Sequence, residues 1–178
     1  MQNTHSLIQQ NIEVLKQGLE VLNELDDRVY PNIKHPFSDY GIGSHFRHCL
    51  DFYHAFLNGA EMGWIDYDNR QRDARIERDR LTAVQKIMEA VQGLERISWL
   101  HGHTSLMVRL ENAGDGLERS SWSSSSVMRE LQALVSHTVH HFALIGVMLQ
   151  LNGFEIPEEF GVAPSTLKRW RLAPICAQ

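Results

Sequence analysis

Four long stretches of the chain repeat apolar residues every three or four positions, and one short stretch alternates them. Over residues 6–30, Ile8, Ile12, Leu15, Leu19, Leu22 and Val29 recur with Glu13, Lys16, Glu20 and Glu24 between them. That spacing predicts an amphipathic helix, ended by Pro31 and Pro36, which open a polar loop through Asp39 and Gly43. A second helix is expected over residues 44–62, with Phe46, Cys49, Leu50, Phe52, Tyr53, Phe56 and Leu57 as its apolar set. Ser44 is a plausible N-cap, and Gly59 and Gly63 mark its end. A charged stretch, residues 66–80, leads into a third helix that runs to about residue 100 on Leu81, Val84, Ile87, Met88, Val91, Leu94 and Ile97. A fourth spans residues 126–151, where Val127, Leu131, Leu134, His137, His141, Leu144 or Ile145, and Met148 form one stripe before Asn152-Gly153 stops it.

Between the third and fourth helices the period drops to two. Leu106, Val108 and Leu110 alternate with Met107, Arg109 and Glu111, and Asn112-Ala113-Gly114-Asp115-Gly116 has turn chemistry. This predicts a small β-hairpin, with the serine run 120–126 forming its return strand and capping the next helix. The residues after 153 carry Pro157, Pro164 and Pro174 and are expected to pack across the helices. The whole is an all-α fold, a single domain over residues 1–178 built as an antiparallel or near-antiparallel helical bundle with one β-insertion.

Composition narrows the classes of function. With 178 residues, 43% hydrophobic and 22% charged, the chain can bury a core and reads as a soluble globular protein. A formal charge of −5 speaks against a nucleic-acid partner bound through its phosphates. Arg70, Arg72, Arg75, Arg78 and Arg80 cluster, but Asp66, Asp68, Asp73, Glu77 and Asp79 are interleaved, which reads as a solvated, salt-bridged helix start. Two distant cysteines, Cys49 and Cys176, form no disulfide framework. No basic region followed by an apolar run opens the chain, and no run of about 18 apolar residues suggests a membrane span. A cytoplasmic location is the resulting expectation.

The histidines carry the chemistry. Ser136-His137-Thr138-Val139-His140-His141-Phe142 holds three of the ten in seven residues. His137 and His141 are four apart, on one helix face, and two imidazoles so placed can grip one metal ion. His140 is turned about one hundred degrees away from them. A third ligand is sought in Ser44-His45-Phe46-Arg47-His48, where either histidine can serve, while His54 lies farther along. Such a site keeps open positions for water or substrate, as catalytic rather than structural metals do. Asp51, three after His48, and Glu130, seven before His137, are candidates for a base or an orienting carboxylate. Arg47 and Tyr53 are candidates for lining the pocket, and Asp39 and Tyr40 for reaching its mouth.

The segment Gly41-Ile42-Gly43-Ser44-His45-Phe46-Arg47-His48-Cys49-Leu50-Asp51 resembles the second-helix motif of the DinB/YfiT-like four-helix bundle proteins. Ser136-His137 through His141 resembles their last-helix His-x-x-x-His motif, and Phe160-Gly161-Val162-Ala163-Pro164-Ser165-Thr166-Leu167 looks like a tail found in one branch. The likeness covers nearly the whole chain in segment order. It implies an up-down-down-up bundle whose metal is held by His48, His137 and His141, with His45 as a neighbour. Zinc or nickel is the metal it implies first, then iron, often in a homodimer. Characterised relatives include thiol-dependent transferases using bacillithiol, mycothiol or glutathione, maleylpyruvate isomerases and the metal domain of sulfoxide synthases.

These readings together predict a metal-dependent enzyme, a hydrolase or a small-thiol-dependent S-transferase, acting on a small molecule. His45, Asp51 and Glu130 are the candidates for acid–base work. The alternatives are a metal-binding or stress-response bundle without turnover, and a bundle whose histidines are structural. No nucleic-acid or membrane partner is expected.

Overall fold

Each long apolar period becomes a helix, with ends set by local chemistry. The computed structural model describes residues 4–34, 40–110 and 122–172. It is mostly helical, with one small sheet. The first helix, α1 (Thr4–Glu24), is shorter than its period. The chain leaves it for a 3-10 turn, Tyr30–Asn32, with Pro31 early in the turn, where a missing N–H costs little. Arg80 donates to the Leu22 carbonyl at 3.0 Å and so covers the C-terminal end of α1. Helix α2 (Ile42–Gly59) is entered from Gly41, not Ser44. Ser44 lies within the first turn, and its hydroxyl donates back to the Gly41 carbonyl at 2.7 Å.

The sheet has one strand more than the alternation predicts. Gly63, at φ 84°, turns the chain into β1 (Trp64–Asp66). This strand pairs in parallel with β2 (Ser105–Arg109), Trp64 opposite Met107. Strand β3 (Ser123–Ser126) returns antiparallel beside β2, Leu106 opposite Ser125. The serines at 123–126 thus form a strand, and Ser126 caps the next helix by accepting from the Arg129 N–H. The expected turn at 112–116, like Asp39, Pro174 and Cys176, lies outside the described residues.

The charged stretch is not one solvated helix start. A single-turn helix, α3 (Arg75–Arg78), is followed by α4 (Arg80–Arg96). Extended Asp79 stands between them, and its carboxylate accepts from the Leu81 N–H at 3.1 Å. Asp66 instead pairs with Arg109 across β1 and β2. Helix α5 (Val127–Leu151) and the short α6 (Pro164–Leu172) complete the fold.

The four long helices pack in a ring, α1 and α2 each lying against both α4 and α5. Contacts give their directions. Asn11 meets Leu131 and Gly18 meets Phe142, so α1 and α5 run the same way. His54 shares a cavity wall with Lys86 and Glu89, and Leu57 lies against Gly93, so α2 and α4 also run together. His45 meets His141 and His48 meets His137, so α2 opposes α5. The tail crosses α5, where Phe160 stacks on Phe142 with ring centroids 5.1 Å apart. Among the described helices, α5 has the length and composition that a membrane crossing requires. Its apolar side, however, is packed against α1 and α2.

Gly43 sets how closely α3 approaches α2, because a Cβ there would overlap the Glu77 carbonyl. Gly43→Ala is expected to destabilise the fold by about 1–3 kcal/mol, as overpacking does. Urea unfolding measures it, and an unchanged midpoint would show that the approach is loose.

Candidate metal centre

The deepest line of α5 runs through Leu134, Thr138 and Phe142. His137 and His141 sit at its edge, half-buried, rather than in the core stripe itself. His48 occupies the matching edge of α2. Antiparallel packing then brings the three together. The Nε2 atoms of His137 and His48 lie 3.1 Å apart, as do those of His141 and His137. Nitrogens of all three imidazoles fall within 4.8 Å of one another.

These nitrogens suit a shared cation better than hydrogen bonds. An imidazole nitrogen carries one hydrogen or one lone pair in the ring plane. The Nε2 of His137 faces two other Nε2 atoms, so it can satisfy one of them well and not both. A divalent ion accepts all three lone pairs together. Metal–nitrogen bonds of about 2.1 Å would hold neighbouring ligands roughly 3.0–3.4 Å apart, and the observed 3.1 Å falls in that range. The residues therefore fit a metal, and the identity of the metal is left open by three imidazoles.

His45 orients the set. Its Nδ1 lies 2.8 Å from the Nδ1 of His141. With Nε2 of His141 engaged, its Nδ1–H donates to His45, the usual outer bond of a metal-bound imidazole. The Nδ1 of His137 is buried without a partner among the described residues. The ring of His140 packs on His141 at 5.1 Å, but the residue is exposed and outside the cluster.

Burial pushes all three imidazole pKa values down, to about 4 for His48 and His137 and about 3 for His141. Neighbouring positive charge adds to this: His141 first for His48, His48 for His137, and His137 for His141. Neutral, ligand-ready rings at pH 7 follow. The unfolded chain, with ordinary imidazoles near pKa 6.5, binds more protons below that pH than the folded chain does. The metal-free protein is expected to keep its full stability above about pH 6.5 and to lose it steadily as the pH falls toward 4. Thermal unfolding across that window checks this, and a melting temperature flat from pH 7 to 4.5 would contradict it.

The two candidate carboxylates have other partners. Glu130 is buried, and its oxygens accept from Tyr67 at 2.9 Å and from Ser125. Tyr67 stacks on Phe52 with centroids 4.9 Å apart, and Phe52 abuts His137 at 4.6 Å. Glu130 therefore supports the wall beside the histidines. Asp51 is buried and accepts from Arg47 at 2.9 Å, while Arg47 also meets Glu77. Its carboxyl pKa is raised by burial, with Arg47 and Arg70 opposing. Arg47 lines a separate cavity with Lys34, Tyr40 and Glu77. Tyr53 is fully buried in a hydrogen-bonded group with Asn11. His54 lines a cavity on another side of α2.

Phe52, Tyr67 and Arg70 are the neighbours that residue spacing did not single out. Phe52 looked like one more core aromatic, and Arg70 like one of a salt-bridged series. A clue for Phe52 was its place four residues after His48, on the same helix face.

Comparison with known proteins adds a partial likeness. A stretch of 105 residues, 58% of the chain, is 32% identical to FK506-binding protein 5 of Rhizopus delemar. The chain spans about a quarter of that protein's length, the match covering 27% of it. No family profile and no solved structure matches the chain.

Proposed function

We propose that this protein is a DinB/YfiT-like four-helix bundle that holds one divalent metal through Nε2 of His48, His137 and His141 and uses it enzymatically on a small molecule. The observation that carries the reading is the convergence of three imidazole nitrogens, two pairs of them 3.1 Å apart, from two opposed helices. The ring of four long helices, their directions and the hairpin ahead of α5 agree with what the resemblance implies. Half-burial of the histidines leaves one side for a ligand to approach, which favours an enzyme over a closed storage site.

A bound divalent ion supplies Lewis acidity, lowering the pKa of a water or thiol that joins it. The chain's own residues do the rest. His45 keeps His141 in the tautomer that presents Nε2. Phe52, held by Tyr67 and through it by Glu130, excludes water from one flank. With Asp51 and Glu130 held by their own partners, His45 is the side chain in contact with a ligand that is left to move a proton. Low-molecular-weight thiol transfer is the first reaction to test, and hydrolysis the second.

The test has two parts. Purified protein reconstituted with zinc, nickel or iron(II) is expected to hold one ion per chain, measured by mass spectrometry. Loaded protein is then assayed with glutathione, bacillithiol and mycothiol against simple electrophiles. Metal-dependent turnover supports the transferase reading. Full loading without turnover on thiols or esters would leave a metal-binding protein without catalysis, and no stoichiometric metal would end the proposal.

A further inference from the structure

The metal centre has a charged neighbour, Arg70, that makes no ion pair among the described residues. Arg70 lies in the segment between β1 and α3, with its guanidinium carbon 4.7 Å from the centroid of the Phe52 ring. The same ring abuts His137 at 4.6 Å and His48 at 5.1 Å. One aromatic ring therefore separates the cation from two of the three ligands.

The bonding of Arg70 is incomplete. One terminal nitrogen donates to the Tyr67 carbonyl at 2.6 Å, and Nε is buried with no partner. Among the described residues no carboxylate comes within ion-pairing distance of it, although Arg47, Arg75, Arg80, Arg109 and Arg171 each meet one. The nearby acids face other cations: Asp51 meets Arg47 at 2.9 Å, Asp66 pairs with Arg109, and Asp68 lies 3.9 Å from Arg109.

A buried N–H donor left unpaired is costly, the more so when charged, and a guanidinium is shaped to meet a carboxylate with two parallel hydrogen bonds. We propose that Arg70 receives an anionic group, of carboxylate type, on the small molecule whose other end enters the three-histidine centre. The inference rests on the metal reading above and narrows its substrate class to small anions, such as a thiol that carries a carboxylate. Phe52 is the spacer that sets the distance between the two ends, so chain length in the ligand matters as well as charge.

The test uses the full chain loaded with cobalt(II), whose visible spectrum reports thiolate binding. Mercaptocarboxylates of increasing length are titrated beside mercaptoalcohols of equal length. At the best length the acid is expected to bind about tenfold or more tightly than the alcohol. Arg70→Gln is expected to erase that preference while leaving cobalt content and alcohol affinity unchanged. Circular dichroism and cobalt stoichiometry show whether the variant is folded, and Arg70→Lys serves as a second, charge-retaining variant expected to keep part of the preference. Equal affinity for acids and alcohols in the wild type, a preference that survives Arg70→Gln, or full cobalt loading with no thiol band would each overturn the inference. Failure to load cobalt at all would instead overturn the metal reading on which it rests.

Discussion

A His137→Ala chain is expected to hold no metal at concentrations that saturate the wild type. His137 is the hub of the cluster, because its Nε2 is the atom 3.1 Å from both other Nε2 atoms. Alanine leaves His48 and His141 as two ligands on opposed helices. Losing an outer partner of a metal ligand typically costs 10–100-fold in affinity, and loss of the ligand itself is expected to cost at least about 100-fold. The effect has a second readout. A ligand at 100 times its Kd stabilises the fold by about 2.7 kcal/mol, or roughly 5–10 °C in Tm for a chain of this size. That metal-dependent rise should vanish in His137→Ala, and also in His48→Ala and His141→Ala. His140→Ala, altering an exposed neighbour, should keep both the metal and the rise. Equal metal content in the wild type and the three ligand variants would sink the triad, and loss of metal from His140→Ala with the ligand variants unaffected would relocate it.

How far this site was legible follows from what each signal depends on. The pair His137 and His141 was readable because helical spacing is local: four residues make one turn. The choice between His45 and His48 was not readable from residues alone, since both share a helix with suitable spacing. Opposed packing of α2 and α5 separates their roles, setting His48 beside His137 and His45 beside His141. The four long helices were visible as apolar periods, although their ends were not. Ser44 has an N-cap's chemistry, but Gly41 begins the helix. Strand β1 is three residues long, too short to show alternation, and exists by pairing with β2 forty residues on. Arg70 illustrates the same limit. In the sequence it stands among Asp66, Asp68 and Asp73, which suggest a solvated ion-pair series, whereas in space the Phe52 ring and the Tyr67 carbonyl lie against it. A charge pattern along the chain reports exposure only when the chain stays on the surface.

The largest effect on stability away from the histidines is expected at Asn11, a residue whose polarity gave no hint of burial. It is fully buried between Ile8 and Ile12 on the core face of α1. Its side-chain amide donates to the Leu7 carbonyl at 2.8 Å and to the Leu131 carbonyl at 3.1 Å. Its oxygen accepts from the Tyr53 hydroxyl at 2.8 Å, and that hydroxyl lies 3.3 Å from Thr138, which is itself bonded to the Leu134 carbonyl. One amide thus joins α1, α2 and α5, and the group reaches Thr138, the chain neighbour of His137. Asn11→Leu keeps the branched shape but strips Tyr53 of its acceptor. Each buried group left unpaired costs about 1–3 kcal/mol, so a loss of about 2–4 kcal/mol is expected, roughly 5–15 °C in Tm at this chain length. Tyr53→Phe alone should cost less, since it removes one hydroxyl and leaves the amide's two carbonyl bonds in place. If the three helices are tied by one group, the Asn11→Leu/Tyr53→Phe double variant should be about 1 kcal/mol or more stable than the sum of the single losses predicts, because removing both partners leaves fewer orphans than removing either. Strict additivity in urea unfolding would mean that the two residues act separately. The same variants bear on the metal centre: with His137 and His141 held by the packing of α5 against α2, weakening this tie should loosen the metal while leaving one ion per chain at saturation.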